Sequence, residues 1–201
     1  QSKRLAPVYE NLGVTFRGES AVVIASIDGS EYTEIRLRYE VINYPVIIFF
    51  PCDDKAGQRY EGDRSLPDLV QFINDKTGAG RTVGGGVTPE AGKITGLDDI
   101  ARQILDADKE KRIEMLAKAE RIAADQPPTF KSPAAFYLKV LRGIIDNGNS
   151  FANSEKERLE RVASSGHLNP AKTVEIQKRV NILKALLEPV LAPVSAPEEL
   201  A

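Results

Sequence analysis

The strongest constraint in this chain is the stretch Tyr39-Glu40-Val41-Ile42-Asn43-Tyr44-Pro45-Val46-Ile47-Ile48-Phe49-Phe50, where a proline-bearing turn runs into five consecutive apolar residues. A run of β-branched and aromatic residues bounded by Pro45 and Pro51 reads as a strand buried on both faces. Proline has no N–H to give a ladder, so Pro45 belongs at the strand's first residue. Its turn holds either a cis Tyr44–Pro45 bond or an ordinary trans proline opening a core strand. In the first case the backbone before Pro45 is bare at the sheet end, where an extended peptide can pair.

The flanking sequence supplies candidate neighbours for that strand. Leu5, Val8, Tyr9 and Leu12 recur at i, i+3, i+4 and i+7, which predicts an amphipathic helix from Ser2 to about Leu12 with Pro7 in its first turns or at a kink. Ala21-Val22-Val23-Ile24-Ala25-Ser26-Ile27 reads as a second buried strand, closed by the turn residues Asp28-Gly29-Ser30. Tyr32, Ile35 and Tyr39 mark a short helix between the two runs, so a βαβ unit with parallel strands is expected. Beyond Pro51, Asp53 to Gly57 reads as a hairpin connection into a short strand near Gln58 to Glu61. Ser65 with Asp68 three residues on opens a helix whose Leu66, Leu69, Val70 and Ile73 share a face, and Gly78 stops it.

Composition narrows the function classes. A net charge of -2 with acids and bases interspersed leaves no basic footprint for nucleic acid or anionic lipid. The longest apolar run is far too short to span a bilayer, so no membrane partner is expected. One cysteine and one histidine exclude an internal disulfide and Cys- or His-rich metal sites, and no cofactor is expected. The start Gln1-Ser2-Lys3, without an initiator Met, gives the expectation of a processed or truncated piece.

Seven of the fifteen glycines fall between Gly78 and Gly96, which predicts a flexible interdomain linker over 78–96. A phosphate loop is excluded there. The spacing from Gly86 to Gly92-Lys93 is one residue too long, Ile94 stands where a hydroxyl should follow, and no strand precedes it. From there the period is helical throughout, and five short helices are expected. Thr95 and Asp98 cap the first, which turns Leu97, Ile100, Ala101 and Ile104 inward. The second runs from about Lys109 to Asp125, and Ser132-Pro133 opens the third with Phe136, Tyr137, Val140, Leu141 and Ile144 inward. The fourth covers about Ser154 to Ser165, and Asn169-Pro170 starts the last, which buries Ile176, Val180, Leu183 and Leu187. The Pro- and Ala-rich tail 189–201 is expected to be disordered.

Three motifs in order carry a resemblance. Ser2-Lys3-Arg4-Leu5-Ala6-Pro7-Val8-Tyr9 resembles the segment after the active-site cysteines of protein disulfide isomerases, Cys-Gly-His-Cys-Lys-x-Leu-Ala-Pro-x-Tyr. Val41-Ile42-Asn43-Tyr44-Pro45-Val46 is similar to their Val-x-Gly-Tyr-Pro-Thr turn, and Tyr60-Glu61-Gly62-Asp63-Arg64 to their Tyr-x-Gly-x-Arg. Ala135 to Val140, Asp146-Asn147-Gly148, Phe151, Ser154-Glu155, Arg158 and Val180 to Leu183 resemble the helical D domain of endoplasmic-reticulum protein 29 and of isomerases that carry it. The resemblance implies an incomplete α/β thioredoxin-like domain over 1–77, the linker 78–96 and an all-α five-helix D domain over 97–188. It also implies a cis Tyr44–Pro45 bond, an endoplasmic-reticulum lumen location, and unfolded or partly folded secretory proteins as clients. The ending Pro197-Glu198-Glu199-Leu200-Ala201 only partly matches a retention signal.

The departures from the family pattern bear on activity. Ser2 stands at the resolving cysteine and Gln1 at the motif's histidine, and the first cysteine would lie two residues upstream of Gln1. A serine hydroxyl cannot release a mixed disulfide as a second thiol does. By resemblance Arg64 is the mobile arginine that lowers the second cysteine's pKa, a role without a target opposite Ser2, so a surface ion pair is the expected use of Arg64. Ser26 occupies the position of the family's buried relay lysine. Cys52, beside Asp53 and Asp54, reads as an incidental loop thiol, and His167 as an exposed loop histidine. Two functions follow as expectations. The first is thiol–disulfide exchange on secretory clients in a full-length parent, with this chain inactive. The second is a redox-inactive, client-binding chaperone or escort using Tyr44 and Pro45.

Overall fold

The computed structural model describes residues 2–188, so the motif position Gln1 and the tail 189–201 lie outside the described residues. Those residues divide into two units, one built from the stretch up to Ala91 with Asn169–Val174, the other from Gly92–Leu168 and the chain from Glu175 on.

The first unit rests on two helices. α1 (Ser2–Thr15) contains Pro7 without being ended by it, and outruns the expected boundary to bury Leu12, Thr15 and, just beyond, Phe16. Its inner face meets α3 (Leu66–Thr77), whose Leu69, Val70 and Ile73 are buried with Leu12, Phe16 and Ala79 in one core. The start and stop of α3 follow the sequence. The Ser65 side chain accepts from the Asp68 amide and Gly78 sits in the left-handed region at φ 68°.

The expected βαβ unit is not formed. Residues 21–27 are extended but belong to no strand, and the sheet consists of β1 (Ile48–Phe49) antiparallel to β2 (Gln58–Arg59), with Ile48 opposite Arg59 and Phe49 opposite Gln58. The hairpin predicted after Pro51 is therefore present and the parallel pair is absent among the described residues. Apolar patterning fixes which side chains turn inward, but a ladder needs a partner at about 4.8 Å, and no strand lies beside 21–27. The inward pattern survives without the ladder: Val22 and Ile24 pack on the core while Val23 between them is 87% exposed. A hydrogen bond from the Tyr9 hydroxyl to the Ala25 carbonyl, 3.0 Å, ties the segment to α1. The run after Pro45 is likewise half-buried rather than enclosed on both faces, with Phe50 exposed.

The short helix α2 (Thr33–Arg38) lies where Tyr32, Ile35 and Tyr39 placed it, but buries none of its residues. The glycine-rich stretch 78–96 is more ordered than a tether. Arg81 is 3% exposed and donates to the carbonyls of Thr15 (3.1 Å), Arg17 (3.2 Å) and Gly85 (2.7 Å). Its own amide and carbonyl are held by the Asn74 side chain at 2.8 Å each, and it forms a β-bridge with Val87. Glycine count measured conformational freedom and missed the long-range anchor that removes it.

The second unit is all-helical: α4 (Thr95–Gln103), α5 (Lys109–Ala124), a 3-10 turn at Pro128–Phe130, α6 (Lys131–Asn147), α7 (Ser150–Ala163) and, from Glu175 on, α8 (Pro170–Leu187), whose start as far as Val174 is grouped with the first unit. Leu97, Ile100 and Ala101 of α4 and Ile104 at its C-cap meet Phe136, Tyr137, Val140, Leu141 and Ile144 of α6 and Ile176, Val180 and Leu183 of α8 in one core. Several starts differ from expectation. Ile94 caps α4 without a side-chain bond, leaving Asp98 free to turn inward. The 3-10 turn carries the chain into α6 at Lys131, so Ser132 and Pro133 sit inside its first turn. α7 begins at Ser150 rather than Ser154. At α8 the expected cap holds, with Asn169 Oδ1 accepting from the Lys172 amide at 2.8 Å.

Candidate functional site

The turn from α2 to β1 carries Tyr44 and Pro45, and its path is set residue by residue. At the end of α2 the Glu40 amide donates to the Leu37 carbonyl (3.1 Å) and the Val41 amide to the Arg36 carbonyl (2.9 Å). This paired closure is a Schellman motif, which needs a left-handed residue, and Glu40 takes that role at φ 52° where glycine is usual. The two carbonyls left over at the helix end are taken up from β2. One Arg59 Nη2 donates to the Tyr39 carbonyl at 2.7 Å and to the Glu40 carbonyl at 2.8 Å. The Tyr39 hydroxyl donates to the Lys55 carbonyl (3.1 Å), and its ring meets Phe50 edge-on at 5.3 Å between centroids.

Past this anchor the chain leaves as Val41-Ile42-Asn43-Tyr44, and the Tyr44–Pro45 bond is cis. Tyr44 lies over Gly29, where a β-carbon would stand 2.6 Å from the Tyr44 hydroxyl, so any larger residue there would make the ring shift. The result is a turn that displays Ile42, 84% exposed, and Tyr44, 46% exposed. Val23, Ile27 and Leu37 are other exposed apolar side chains of this unit, whereas Ile113 is the one large exposed apolar side chain of the second unit among the described residues.

The remaining sequence-predicted residues are not drawn together by any hydrogen bond or ion pair among the described residues. Ser2 is exposed in the first turn of α1. Arg64 is exposed, two residues before α3, and forms no ion pair among the described residues. Its motif has a local reason. A β-carbon at Gly62 would lie 2.6 Å from the Tyr60 hydroxyl, so glycine admits the ring that donates to the Asp63 carbonyl at 2.6 Å. The Asp63 carboxylate in turn accepts from the Ser65 amide at 2.9 Å, leading into the α3 cap. Ser26 and His167 are exposed. Cys52 is a free, exposed thiol beyond the far end of β1.

One thiol in 201 residues cannot cycle between dithiol and disulfide within the chain. Among the described residues no cluster of His, Cys, Asp and Glu is placed to hold a metal, and no helix is long and apolar enough to cross a membrane. The displaced charges are structural. Asp98, 7% exposed, accepts from the Tyr137 hydroxyl; burial raises its pKa above the usual carboxylate value, against the pull of that hydrogen bond. Glu155, also 7% exposed, is held down to about 2, chiefly by hydrogen bonds from Arg158 and then from Lys139, against burial. Sequence reasoning missed Arg59, Gly29, Arg81 and the Asp98–Tyr137 pair. No local signal marked the turn at the end of α2, since Glu40 stands where a left-handed cap usually has glycine or asparagine.

Comparison with known proteins places these features. Residues 92–186 match the family model described as endoplasmic reticulum protein ERp29, C-terminal domain, and residues 1–75 match thioredoxin. Protein disulfide isomerase-like 2-2 of Oryza sativa subsp. japonica is 36% identical over 181 residues, covering 90% of this chain and 48% of that protein. Probable protein disulfide-isomerase A6 of Medicago sativa is 35% identical over 181 residues, 90% of this chain and 50% of that protein. Protein disulfide-isomerase 1 of Dictyostelium discoideum is 32% identical over 185 residues, 91% and 51% respectively. The chain spans about half the length of the curated relatives it matches.

Proposed function

We propose that this chain, which belongs to the protein-disulfide-isomerase-like proteins of the thioredoxin family with an ERp29-like C-terminal region, binds folding clients without exchanging disulfides itself. Its setting in this reading is the endoplasmic-reticulum lumen, supported by the matched description of an endoplasmic reticulum protein, and its clients are unfolded or partly folded secretory proteins. The observation that carries this reading is the exposed apolar turn of Ile42 and Tyr44 in a chain with a single, unpaired thiol.

The residues take the following roles. Tyr44 offers an aromatic face and Pro45 a rigid apolar edge to an extended client segment, beside backbone groups that can pair with it. Ser2 occupies the resolving-thiol position with a hydroxyl that can hold a hydrogen bond but cannot displace sulfur. Arg64 retains its charge near the start of α3 as an exposed cation for a client carboxylate. The thioredoxin-like domain, residues 1–77, carries the docking turn, and the helical region, residues 97–188, is a separate D-type domain.

The test pairs a binding and a turnover measurement. A fluorescein-labelled, cysteine-free peptide rich in aromatic and β-branched residues is titrated by anisotropy, and Tyr44→Ala is expected to weaken it about ten-fold, the loss of one buried aromatic anchor. In an insulin reduction assay the chain should add nothing to the rate of the reductant alone. Unchanged binding by Tyr44→Ala, or catalytic insulin turnover, sinks the proposal.

A further inference from the structure

We propose that Arg59 is a positioning residue for client docking: it holds the left-handed turn at Glu40 from the neighbouring strand, and so sets the direction in which Tyr44 is presented. This inference rests on the client-binding reading of the Tyr44–Pro45 turn.

The argument begins with a conformational cost. A non-glycine residue at φ 52° sits in a sparsely populated region and stays there only when its surroundings over-determine it. Within α2 the support is thin, because the helix is six residues long and buries none of them. Two main-chain bonds, Glu40 to Leu37 and Val41 to Arg36, close the motif. What they leave open is the pair of carbonyls at Tyr39 and Glu40. One guanidinium nitrogen takes both, at 2.7 and 2.8 Å, from a residue 19 to 20 positions further along the chain. A cation donating to the last carbonyls of a helix is favourable by charge as well as by hydrogen bonding.

The position of Arg59 makes the link directional. It lies opposite Ile48 in the ladder, so the guanidinium fixes the entry of the turn to the same strand pair that receives its exit. Tyr39 is secured a second time through its hydroxyl on the Lys55 carbonyl and its ring on Phe50, both in the hairpin segment. Between the two ends only Val41 to Pro45 remain, with Tyr44 seated over Gly29. The hydrogen bonds of Arg59 end on the Tyr39 and Glu40 carbonyls, so it acts on Tyr44 through the backbone.

The experiment uses the full 201-residue chain, the fluorescein-labelled peptide named above and amide exchange at Val41. Arg59→Ala is expected to weaken peptide binding about five-fold, with faster Val41 exchange and an unchanged thermal midpoint of the helical unit. Arg59→Lys should fall between the two, since an ammonium keeps the charge and can donate to both carbonyls, but its shorter, non-planar stem holds the nitrogen less firmly at the place of Nη2. The decisive variant is Glu40→Gly in the Arg59→Ala background, because glycine needs no support at that φ; it should restore most of the lost affinity. Absence of rescue overturns the proposal, as does unchanged binding by Arg59→Ala while Tyr44→Ala binds weakly. If Tyr44→Ala itself binds like the wild type, the client-binding reading fails, and this inference with it.

Discussion

Replacing Tyr137 by Phe isolates one hydroxyl at the centre of the helical unit. Tyr137 is completely buried, donates to Asp98 and accepts from the Ile94 amide at 3.4 Å, so a single oxygen joins α6 to the start of α4. Phenylalanine keeps the ring and its packing while removing that oxygen. The loss is one charge-assisted hydrogen bond to a carboxylate left 7% exposed, together with one long bond from a main-chain amide. Together these come to about 2–3 kcal/mol, which for a unit of this size lowers the midpoint by roughly 10–20 °C. Circular dichroism at 222 nm through urea and thermal unfolding reads the change.

Two comparisons test the cause. Asp98→Asn keeps an acceptor for the hydroxyl and removes the buried charge, so it should cost about 1 kcal/mol or less, and the double variant should be far from additive. The pH dependence has a definite sign. Burial raises Asp98 above its unfolded value, so its contribution is fully present below the unfolded pKa and is lost as pH rises through the folded one. Tyr137→Phe removes the hydrogen bond that opposes this shift, so the carboxyl climbs further and the deficit shrinks on acidification. A loss below about 0.5 kcal/mol at neutral pH would refute the reasoning, because a satisfied buried carboxylate cannot lose its donor so cheaply.

Glu155 behaves in the opposite direction: its pKa is depressed from 4.5 to about 2, so the stability it supplies is present above the ordinary carboxylate range and disappears as pH falls from about 4.5 towards 2. With Lys139 and Arg158 half-exposed, the amount is about 1–2 kcal/mol, and Glu155→Gln should flatten that limb of the pH–stability curve. Gly143→Ala would drive a β-carbon into the Phe151 ring, so the ring or the helix that carries it must shift at a cost of about 1–3 kcal/mol; Phe151→Leu in the same chain should recover some of it in the same urea titration.

The helices were legible where the signal was local. Ser65, Asp68 and Gly78 bracket α3 as the sequence predicts, and the inward faces of α4 and α6 follow from period alone, whereas α8 buries Ile182, Ala185 and Leu186 besides Ile176, Val180 and Leu183 and leaves Leu187 half-buried. Errors cluster where a residue's choice is made by a distant partner. Asp98 has the side chain of a cap, but its hydroxyl partner lies 39 positions away on α6. Residues 21–27 have the alternation of a strand and no strand to pair with, because a ladder is a property of two segments. Arg81 sits in a stretch whose glycines read as loose, and its partners are 64 and 66 positions back. The turn proposed for docking divides in the same way. Its own residues left a cis and a trans Tyr44–Pro45 bond open and the family resemblance pointed to cis, which the structure has, whereas Arg59 is visible only once β2 is placed beside α2.

The anchorage of Arg81 bears on how such a sequence can drift. All three of its side-chain bonds end on main-chain carbonyls, at Thr15, Arg17 and Gly85, and every amino acid supplies a carbonyl. Exchanging the side chain at an exposed partner such as Arg17 therefore leaves its bond to Arg81 in place. Inserting or deleting one residue between Asn74 and Arg81 does not, since it shifts the guanidinium against the Thr15 and Arg17 oxygens, and a change of length between Arg81 and Gly85 displaces the third. Descendants of this chain are free to change the side chain at an exposed carbonyl partner but not the length of that loop.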